Sequence, residues 1–389
     1  MVESFSSQRD RLHEEAAAQV GYDRFGAEDY QEGLTVLLDG MDAGPRLTEV
    51  GYAKSLELVR NGLAGRLHSQ RGWDLNPDFR GVRITAPVII MGLPRSGTTA
   101  LHKLISMDPQ FQGFERWLLA NPKPRPSLSE RAQDPLYQAT VEALQARYAA
   151  APEAQKAHPV VADEPDECLM PMSQSFVSNW WGSNLEAPGY DDWFFRQDET
   201  ASYRRYADNL RLVGLRSPER RWLLKNPSHI MGVEALLRVS PDACLIHTVR
   251  HPGETIASLT NLMANIRGPL MGHEVDRAAL GRRQVRWYSE AVRRAMAASA
   301  RHPDRIMEVD FRSFLEQPLA VVRSIYDRFG LEMTAGTEAR QQQWVVDNPQ
   351  GKHGQHRYSL EGAGLTLREI ETEFEDYIRR YGLRESAGG

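Results

Sequence analysis

Apolar residues recur at two different spacings along the chain. Near the N-terminus they follow helical spacing, in GLTVLLDGM and again in AKSLELVRNGLAGRLHSQ, which predicts a helical region over about residues 1–82. The pattern changes at APVIIMG, residues 86–92, an unbroken apolar run that is typical of a strand buried on both faces of a parallel sheet. Helical spacing returns in TTALHKLIS, residues 98–106, so this part of the chain predicts a strand, a short loop and a helix.

Three further short apolar runs predict strands of the same sheet. They are RWLLKN at residues 221–226, ACLIHTV at 243–249 and RIMEVDF at 305–311, and a helical pattern follows each. Strands that alternate with helices form a mostly parallel sheet with helices on both faces. We therefore predict an α/β fold with a P-loop-NTPase-like sheet, a helical N-terminal cap over 1–82 and a core over 83–389. Ligands are expected at the carboxyl ends of the strands.

A less regular tract at about residues 122–200 is predicted to be an insert in this core. It contains NPKPRPS, the acidic cluster ADEPDEC and a stretch rich in aromatic residues. The phenylalanine and tryptophan side chains of this stretch are Phe176, Trp180, Trp181, Trp193, Phe194 and Phe195. They either line an apolar substrate pocket or pack in the core or in a dimer interface. The sequence leaves these alternatives, and a homo-oligomer, open.

Composition narrows the function classes. The chain has 389 residues, of which 41% are hydrophobic, and a formal net charge of −5, which argues against binding nucleic acid through bulk positive charge. Two cysteines, Cys168 and Cys244, are too few for a disulfide framework, and a reducing cytoplasm is the expected compartment. We expect no membrane span, because no apolar run approaches the roughly 20 residues that a spanning helix needs.

The loop GLPRSGTT, between the first predicted strand and its helix, is a candidate anion site. In such a loop, successive backbone N–H groups converge on an anion beside the positive end of the helix dipole. Gly92 and Gly97 allow the backbone to turn tightly, and Ser96, Thr98 and Thr99 offer hydroxyl donors. The loop therefore predicts a ligand that carries a phosphate group.

The position of the cation separates this loop from a Walker A loop, GxxxxGK[ST]. Gly92 and Gly97 have the right separation, but Thr98 stands where the lysine is required, and the cation lies earlier, at Arg95. Such a loop suits a β,γ-phosphate with Mg²⁺ poorly and suits a smaller group, with Arg95 beside its bridging oxygen. A P-loop kinase or NTPase, and a catalytically inactive nucleotide-binding protein of the same fold, remain alternatives.

A second candidate anion site follows the strand at residues 243–249. The segment TVRHPGETIAS places Arg250 at the end of the strand and Ser258 eight residues later, in the next predicted helix. The guanidinium group offers a planar fork for a phosphate, and the hydroxyl can donate a further hydrogen bond.

Together the two motifs resemble those of sulfotransferases that use 3′-phosphoadenosine 5′-phosphosulfate (PAPS), in the bacterial branch with a GLPRSGTT loop. The resemblance covers about residues 25–365 and includes ADEPDECLMPMSQSFVS, WLLKNPSH and GKHGQHRYSLEGAGL. It implies that Arg250 and Ser258 bind the 3′-phosphate. The residues that it assigns to the 5′-phosphosulfate are Pro94, Arg95, Ser96, Gly97, Thr98 and Thr99. It also implies sulfuryl transfer from PAPS to a hydroxyl of a small apolar acceptor, with 3′-phosphoadenosine 5′-phosphate (PAP) as product.

Sulfuryl transfer is expected to resemble phosphoryl transfer, with in-line attack and with catalysis by positioning and charge stabilisation. No metal is required, because the sulfonate carries less charge than a γ-phosphate and fixed cations and N–H groups can stabilise it. We expect Arg95 at the leaving 5′-phosphate oxygen. Lys225, at the end of WLLKN, is expected at the equatorial sulfonate oxygens.

The acceptor hydroxyl needs a general base, for which three residues are candidates. Glu167 comes first, because ADEPDEC resembles an acidic-Glu-Cys segment of the bacterial branch. His229 comes second: the animal cytosolic enzymes carry a catalytic histidine two residues after the matching lysine, whereas this histidine lies four residues after Lys225. His158 is third, and the choice stays open.

The resemblance also implies a basic, glycine-containing loop near the C-terminus that closes over the nucleotide. In GKHGQHRYSL, Lys352 and Arg357 are therefore candidate contacts of the 3′-phosphate, with a plain basic surface loop as the alternative. His353 and His356 predict no metal site, because no further ligands accompany them.

Overall fold

Five parallel strands form one sheet in the computed structural model, which describes residues 3–150, 160–349 and 359–383. The strands are β1 (Val88–Gly92), β2 (Phe111–Gln112), β3 (Arg221–Lys225), β4 (Cys244–Val249) and β5 (Ile306–Asp310). Their order across the sheet is β2-β3-β1-β4-β5, and every neighbouring pair is parallel. The four predicted strands are confirmed. The short strand β2 was not predicted, because two residues carry no readable apolar period.

Helices connect and cover these strands. In the described residues and in chain order they are α1 (Arg9–Val20), α2 (Gln31–Asp42), α3 (Glu49–Leu75), α4 (Thr98–Ile105), α5 (Leu128–Ala132), α6 (Pro135–Ala150), α7 (Leu169–Ser173), α8 (Asn179–Asn184), α9 (Tyr190–Phe194), α10 (Thr200–Val213), α11 (Val233–Val239), α12 (Pro252–Met271), α13 (Arg277–Arg301), α14 (Phe311–Glu316), α15 (Pro318–Phe329), α16 (Ala335–Asp347), α17 (Leu367–Glu373) and α18 (Glu375–Tyr381). Short 3₁₀ turns include Pro227–Ile230, directly after β3. No helix of these described segments is long and apolar enough to cross a membrane.

Strand β1 lies at the centre of the sheet, between β3 and β4. Ile90 is in register with Lys225, and Gly92 is in register with Thr248, so the three strands end at nearly the same level. The chain enters the sheet at β1 and places later strands on both of its sides. A crevice therefore opens beyond the end of β1, where ligands of open α/β sheets bind.

Both faces of the sheet are buried, as the unbroken apolar run of β1 predicts. Val88 and Ile90 pack in the same cluster as Leu101 and Leu104 of α4. Ile89 and Met91 point to the opposite face and belong to the main core cluster. Because successive strand residues alternate in direction, a strand covered on both faces needs apolar residues at every position.

The aromatic tract of the insert packs largely against the N-terminal helices. The rings of Phe176 and Trp181 are stacked with centroids 4.6 Å apart, and both residues are fully buried. A Cβ atom on Gly62 of α3 would lie 2.7 Å from the Trp181 ring, so only glycine allows this helix to approach so closely. Trp193 and Phe194 are also buried, whereas Trp180 and Phe195 are partly exposed. Most of the tract is therefore core.

Candidate active site

Three segments singled out in the sequence meet at the carboxyl edge of the sheet. The GLPRSGTT loop follows β1, Lys225 ends β3 on one side of it, and Arg250 follows β4 on the other side. Because all of these strands are parallel and β1 lies between the other two, segments far apart in sequence share one crevice.

Close contacts determine the path of the loop. At Gly92 a Cβ atom would lie 2.3 Å from the Thr248 hydroxyl oxygen, so a side chain would force β1 and β4 apart. Gly97 has φ of 83°, and a Cβ atom there would lie 2.9 Å from the ring of Phe311. Both glycines predicted as turn residues therefore stand where larger residues do not fit.

The loop hydroxyl groups differ in what they contact. The buried Ser96 hydroxyl lies 2.5 Å from the Leu93 carbonyl oxygen and 2.6 Å from the Thr248 hydroxyl, so it ties the loop to β4. Thr98 is buried at the first position of α4, and Thr99 is half-buried. No side chain caps the N-terminus of α4 in the described structure, so its first-turn N–H groups suit an anion such as a phosphosulfate.

Lys225 connects this loop to the acidic segment of the insert. Its side chain is only 2% exposed, and Nζ lies 2.6 Å from Glu167 Oε1 and 3.3 Å from the Thr99 hydroxyl oxygen. The neighbouring residue Cys168 donates its backbone N–H to the Lys225 carbonyl oxygen at 3.1 Å, which anchors the acidic segment on β3. A cation from the adjacent strand thus stands beside the N-terminus of α4, although the loop lacks the Walker A lysine.

The other candidate bases have different positions. His229 is 1% exposed, and its Nδ1 lies 2.9 Å from the Tyr203 hydroxyl, so it sits in the core. Burial lowers the pKa of His229 to about 3. His158, Lys352 and Arg357 lie outside the described residues.

Arg250 and Ser258 both reach the first loop. Arg250 donates from Nη1 to the Arg95 carbonyl oxygen, while its Nε and Nη2 each lie 2.8 Å from Glu254 Oε2. Its guanidinium group lies 4.2 Å from the centre of the Phe311 ring. The Ser258 hydroxyl oxygen accepts a hydrogen bond of 3.2 Å from Arg95 Nε. The two predicted anion sites therefore adjoin each other.

Several residues near the site were missed from the sequence. His102, one turn after Thr99 on α4, is buried, and burial together with the charge of Lys225 lowers its pKa to about 3. Tyr288 of α13 is buried, and this burial raises its pKa, while Asn179, Ser228 and Glu167 lie close enough to influence that pKa. In the sequence, the helical spacing of apolar residues in α13 could indicate only that Tyr288 is buried, and not that it lies near Glu167.

Asn179, Ser228 and Tyr288 form a group that we call the tyrosine cluster. Asn179 donates from Nδ2 to the Ser228 hydroxyl oxygen at 3.0 Å, which joins the insert to the turn after β3. In the described part of the chain, no group of three or more His, Cys, Asp or Glu residues could hold a metal ion.

The model of a sulfotransferase family matches residues 87–335 of the chain, from the start of β1 into α16. The chain belongs to the sulfotransferase family. The predicted sulfotransferase family, the predicted α/β class and the predicted enzyme class are thereby confirmed. Membership of this family also speaks against the P-loop kinase alternative.

Solved sulfotransferases share the fold over nearly the whole chain. The crystal structure of sulfotransferase STF1 from Mycobacterium tuberculosis H37Rv is 33% identical and has a TM-score of 0.87, with 96% of this chain and 100% of that chain covered. Sulfotransferase STF9 from Mycobacterium avium is 27% identical and has a TM-score of 0.88, with 96% and 97% covered. The helical N-terminal region therefore belongs to the fold that these sulfotransferases share.

Curated relatives match a shorter segment. The omega-hydroxy-beta-dihydromenaquinone-9 sulfotransferases Stf3 of Mycobacterium bovis and Mycobacterium tuberculosis are 25% identical over 181 residues. That segment is 43% of this chain and 45% of each relative, so the match spans less than half of their length.

Proposed function

We propose that this sulfotransferase-family chain transfers the sulfuryl group of PAPS to a hydroxyl of an apolar acceptor. The observation that supports this most strongly is the position of Lys225. Its buried Nζ touches Thr99 at the anion loop and Glu167, the first candidate base. One cation thus stands between a donor cradle and a proton acceptor, as transfer to a hydroxyl group requires.

The donor residues fit a nucleotide with phosphate groups at two positions. The uncapped N-terminus of α4, with Arg95 and Lys225 beside it, would hold the 5′-phosphosulfate. Arg250 and Ser258 would hold the 3′-phosphate. When bound, PAPS supplies a sulfuryl group linked to a good leaving group, the 5′-phosphate. Fixed cations and N–H groups would stabilise the charge on the sulfonate oxygens and on the leaving 5′-phosphate oxygen, so we propose no metal.

Glu167 would act as the general base. In the proposed step it accepts the proton of the acceptor hydroxyl while that oxygen forms a bond to sulfur. The bond between sulfur and the bridging oxygen breaks, its electron pair stays on the 5′-phosphate, and PAP leaves. Lys225, which pairs with Glu167, would turn part of its hydrogen bonding toward the sulfonate. Arg95 would stabilise the leaving oxygen.

The acceptor class rests on the relatives and on the surroundings of Glu167. The Stf3 proteins are named for a hydroxylated menaquinone, an apolar molecule with a hydroxyl group. In this chain Glu167 lies close enough to the buried Tyr288 of the tyrosine cluster to raise the pKa of that phenol. We therefore propose a hydroxylated apolar molecule rather than a highly charged polysaccharide as acceptor.

A labelled-PAPS assay against hydroxylated lipids, sterols, phenols and sugars tests this function, together with calorimetric titration of PAP. We expect PAP to bind and label to pass to an apolar alcohol. Tight binding of Mg·ATP without any response to PAP would support the kinase alternative instead. Binding of PAP without transfer to any of the acceptors would support an inactive nucleotide-binding protein.

A further inference from the structure

Arg95 has a backbone conformation that residues other than glycine seldom adopt. Its φ is 69°, in the left-handed region where a Cβ atom crowds the backbone. Such a conformation persists only where the surroundings hold it in place. The GLPRSGTT loop therefore depends on contacts from outside for the shape that presents its N–H groups.

Arg250 makes such a contact, and its own position is fixed on three sides. One edge of the guanidinium group is 2.8 Å from Glu254 Oε2, and its face lies 4.2 Å from the centre of the Phe311 ring. The remaining nitrogen, Nη1, donates to the carbonyl oxygen of Arg95. A rigidly placed donor directly after β4 thus holds the peptide group that follows the strained residue.

We propose that Arg250 is a positioning residue for the 5′-phosphate loop, in addition to its contact with the 3′-phosphate. The inference rests on the proposed function, because it takes the loop as the site of the 5′-phosphate. It predicts that loss of Arg250 weakens even a nucleotide that has no 3′-phosphate. If Arg250 touched only the 3′-phosphate, such a nucleotide would bind equally well with or without it.

Adenosine 5′-monophosphate (AMP) is the probe that separates the two roles, because it carries the 5′-phosphate alone. We expect Arg250→Met in the full chain to weaken AMP binding about five- to tenfold. This factor corresponds to the free-energy cost of holding a non-glycine residue in the left-handed conformation. PAP should weaken more, because it also loses the direct contact. Unchanged AMP affinity in a folded Arg250→Met protein, measured by calorimetry, would overturn the inference.

Arg312→Met is a matched control. Arg312 lies 3.7 Å from the same Glu254, and its side chain is 44% exposed, so its loss removes one positive charge from the neighbourhood of the site. We expect its AMP affinity to stay within about twofold of the parent. An equal loss of AMP affinity in this variant would mean a general effect of charge and would also overturn the inference.

Two further variants test whether the left-handed conformation of Arg95 is the cause of the lost AMP affinity. In an Arg95→Gly background the left-handed conformation costs nothing, so adding Arg250→Met should no longer weaken AMP. A loss as large as in the parent would contradict the mechanism. If Arg250→Met does not fold, Arg250→Lys takes its place. Lysine keeps the positive charge but lacks the planar guanidinium group, so this variant should also lower AMP affinity. A parent chain that binds neither PAP nor AMP would instead refute the proposed function.

Discussion

The residues proposed to hold the donor come from two short strand-to-helix turns, whereas those near the proposed acceptor come from distant segments. On the donor side, the loop after β1 and the turn after β4 are neighbours because their strands are hydrogen-bonded partners. On the acceptor side, Glu167 and the tyrosine cluster meet only through the packing of the insert and α13 on β3. Backbone pairing builds one side, and side-chain packing builds the other.

This difference explains how much of the site could be predicted. The donor side follows from local signals, namely an apolar strand, glycines at a tight turn and an arginine at a strand end. Lys225 follows from the same rule, because it ends β3. The contact between Lys225 and Glu167 could not be read from the sequence, since it depends on the insert folding back so that Cys168 bonds to β3.

Substitution of Glu167 tests the acceptor side with the largest expected effect. Glu167→Gln keeps the size of the side chain and removes its basicity, so we expect kcat to fall about 10²- to 10⁴-fold, the usual contribution of a general base. PAP affinity should change little. Steady-state assays together with calorimetry measure both quantities.

His229→Gln is the comparison for that variant. Because His229 lies in the core beside Tyr203, we expect it to lower stability and to leave kcat nearly unchanged in the folded fraction. Full turnover by Glu167→Gln, with turnover lost in His229→Gln, would reverse the assignment of the base.

Lys225→Met tests the group that joins the two sides. Removal of one preorganised charge donor from a transition state costs about 10²- to 10³-fold in kcat, and we expect a loss of this size. The loss should be the same for every acceptor, because Lys225 is proposed to act on the sulfonate. A variant that changed only the KM of the acceptor would place Lys225 wholly on the acceptor side.

Acid should destabilise both sides through buried histidines. Burial is the main cause that lowers the pKa of His102 to about 3, of His229 to about 3 and of His247 to about 4. Below the unfolded-state pKa of about 6.5, the unfolded chain binds protons that the folded chain does not, so stability falls as pH falls from about 6.5 toward 4.

The slope of that fall is measurable by denaturant unfolding at several pH values. Each histidine contributes up to about 1.4 kcal/mol per pH unit to the slope of the unfolding free energy. We expect His247→Phe to lower that slope by the contribution of one histidine. A stability that stays flat between pH 7 and pH 5 in the parent chain would show that these side chains reach solvent.

Ser258→Ala should have the smallest effect and should act on the donor side alone. A neutral hydroxyl contact contributes about 1 kcal/mol, so PAP affinity should fall about fivefold while the KM of the acceptor stays constant. Calorimetry with PAP and acceptor titrations at saturating donor measure the two quantities. A fivefold change in the acceptor KM would contradict the prediction that Ser258 acts on the donor side alone.

The aromatic tract shows why composition alone could not assign the acceptor side. Aromatic residues clustered in one stretch fit a pocket and a core equally well, and the decisive information is what lies opposite them. Gly62 and the other residues of the N-terminal helices lie there and bury Phe176 and Trp181. The direction of these side chains is a property of the packing, and periodicity over so irregular a segment does not reveal it.

Phe311 has a consequence for how the chain can vary. Its ring lies against Gly97 of the anion loop and beneath the guanidinium group of Arg250, although it comes from the first position of α14, directly after β5. A larger residue at 97 is strained by the φ of 83° and also meets the Phe311 ring, and a smaller residue at 311 would relieve only the second problem while removing the surface on which Arg250 rests. Substitutions at these two positions should therefore be non-additive, because they share this contact, and Phe311 links the shape of the anion loop to the placement of Arg250.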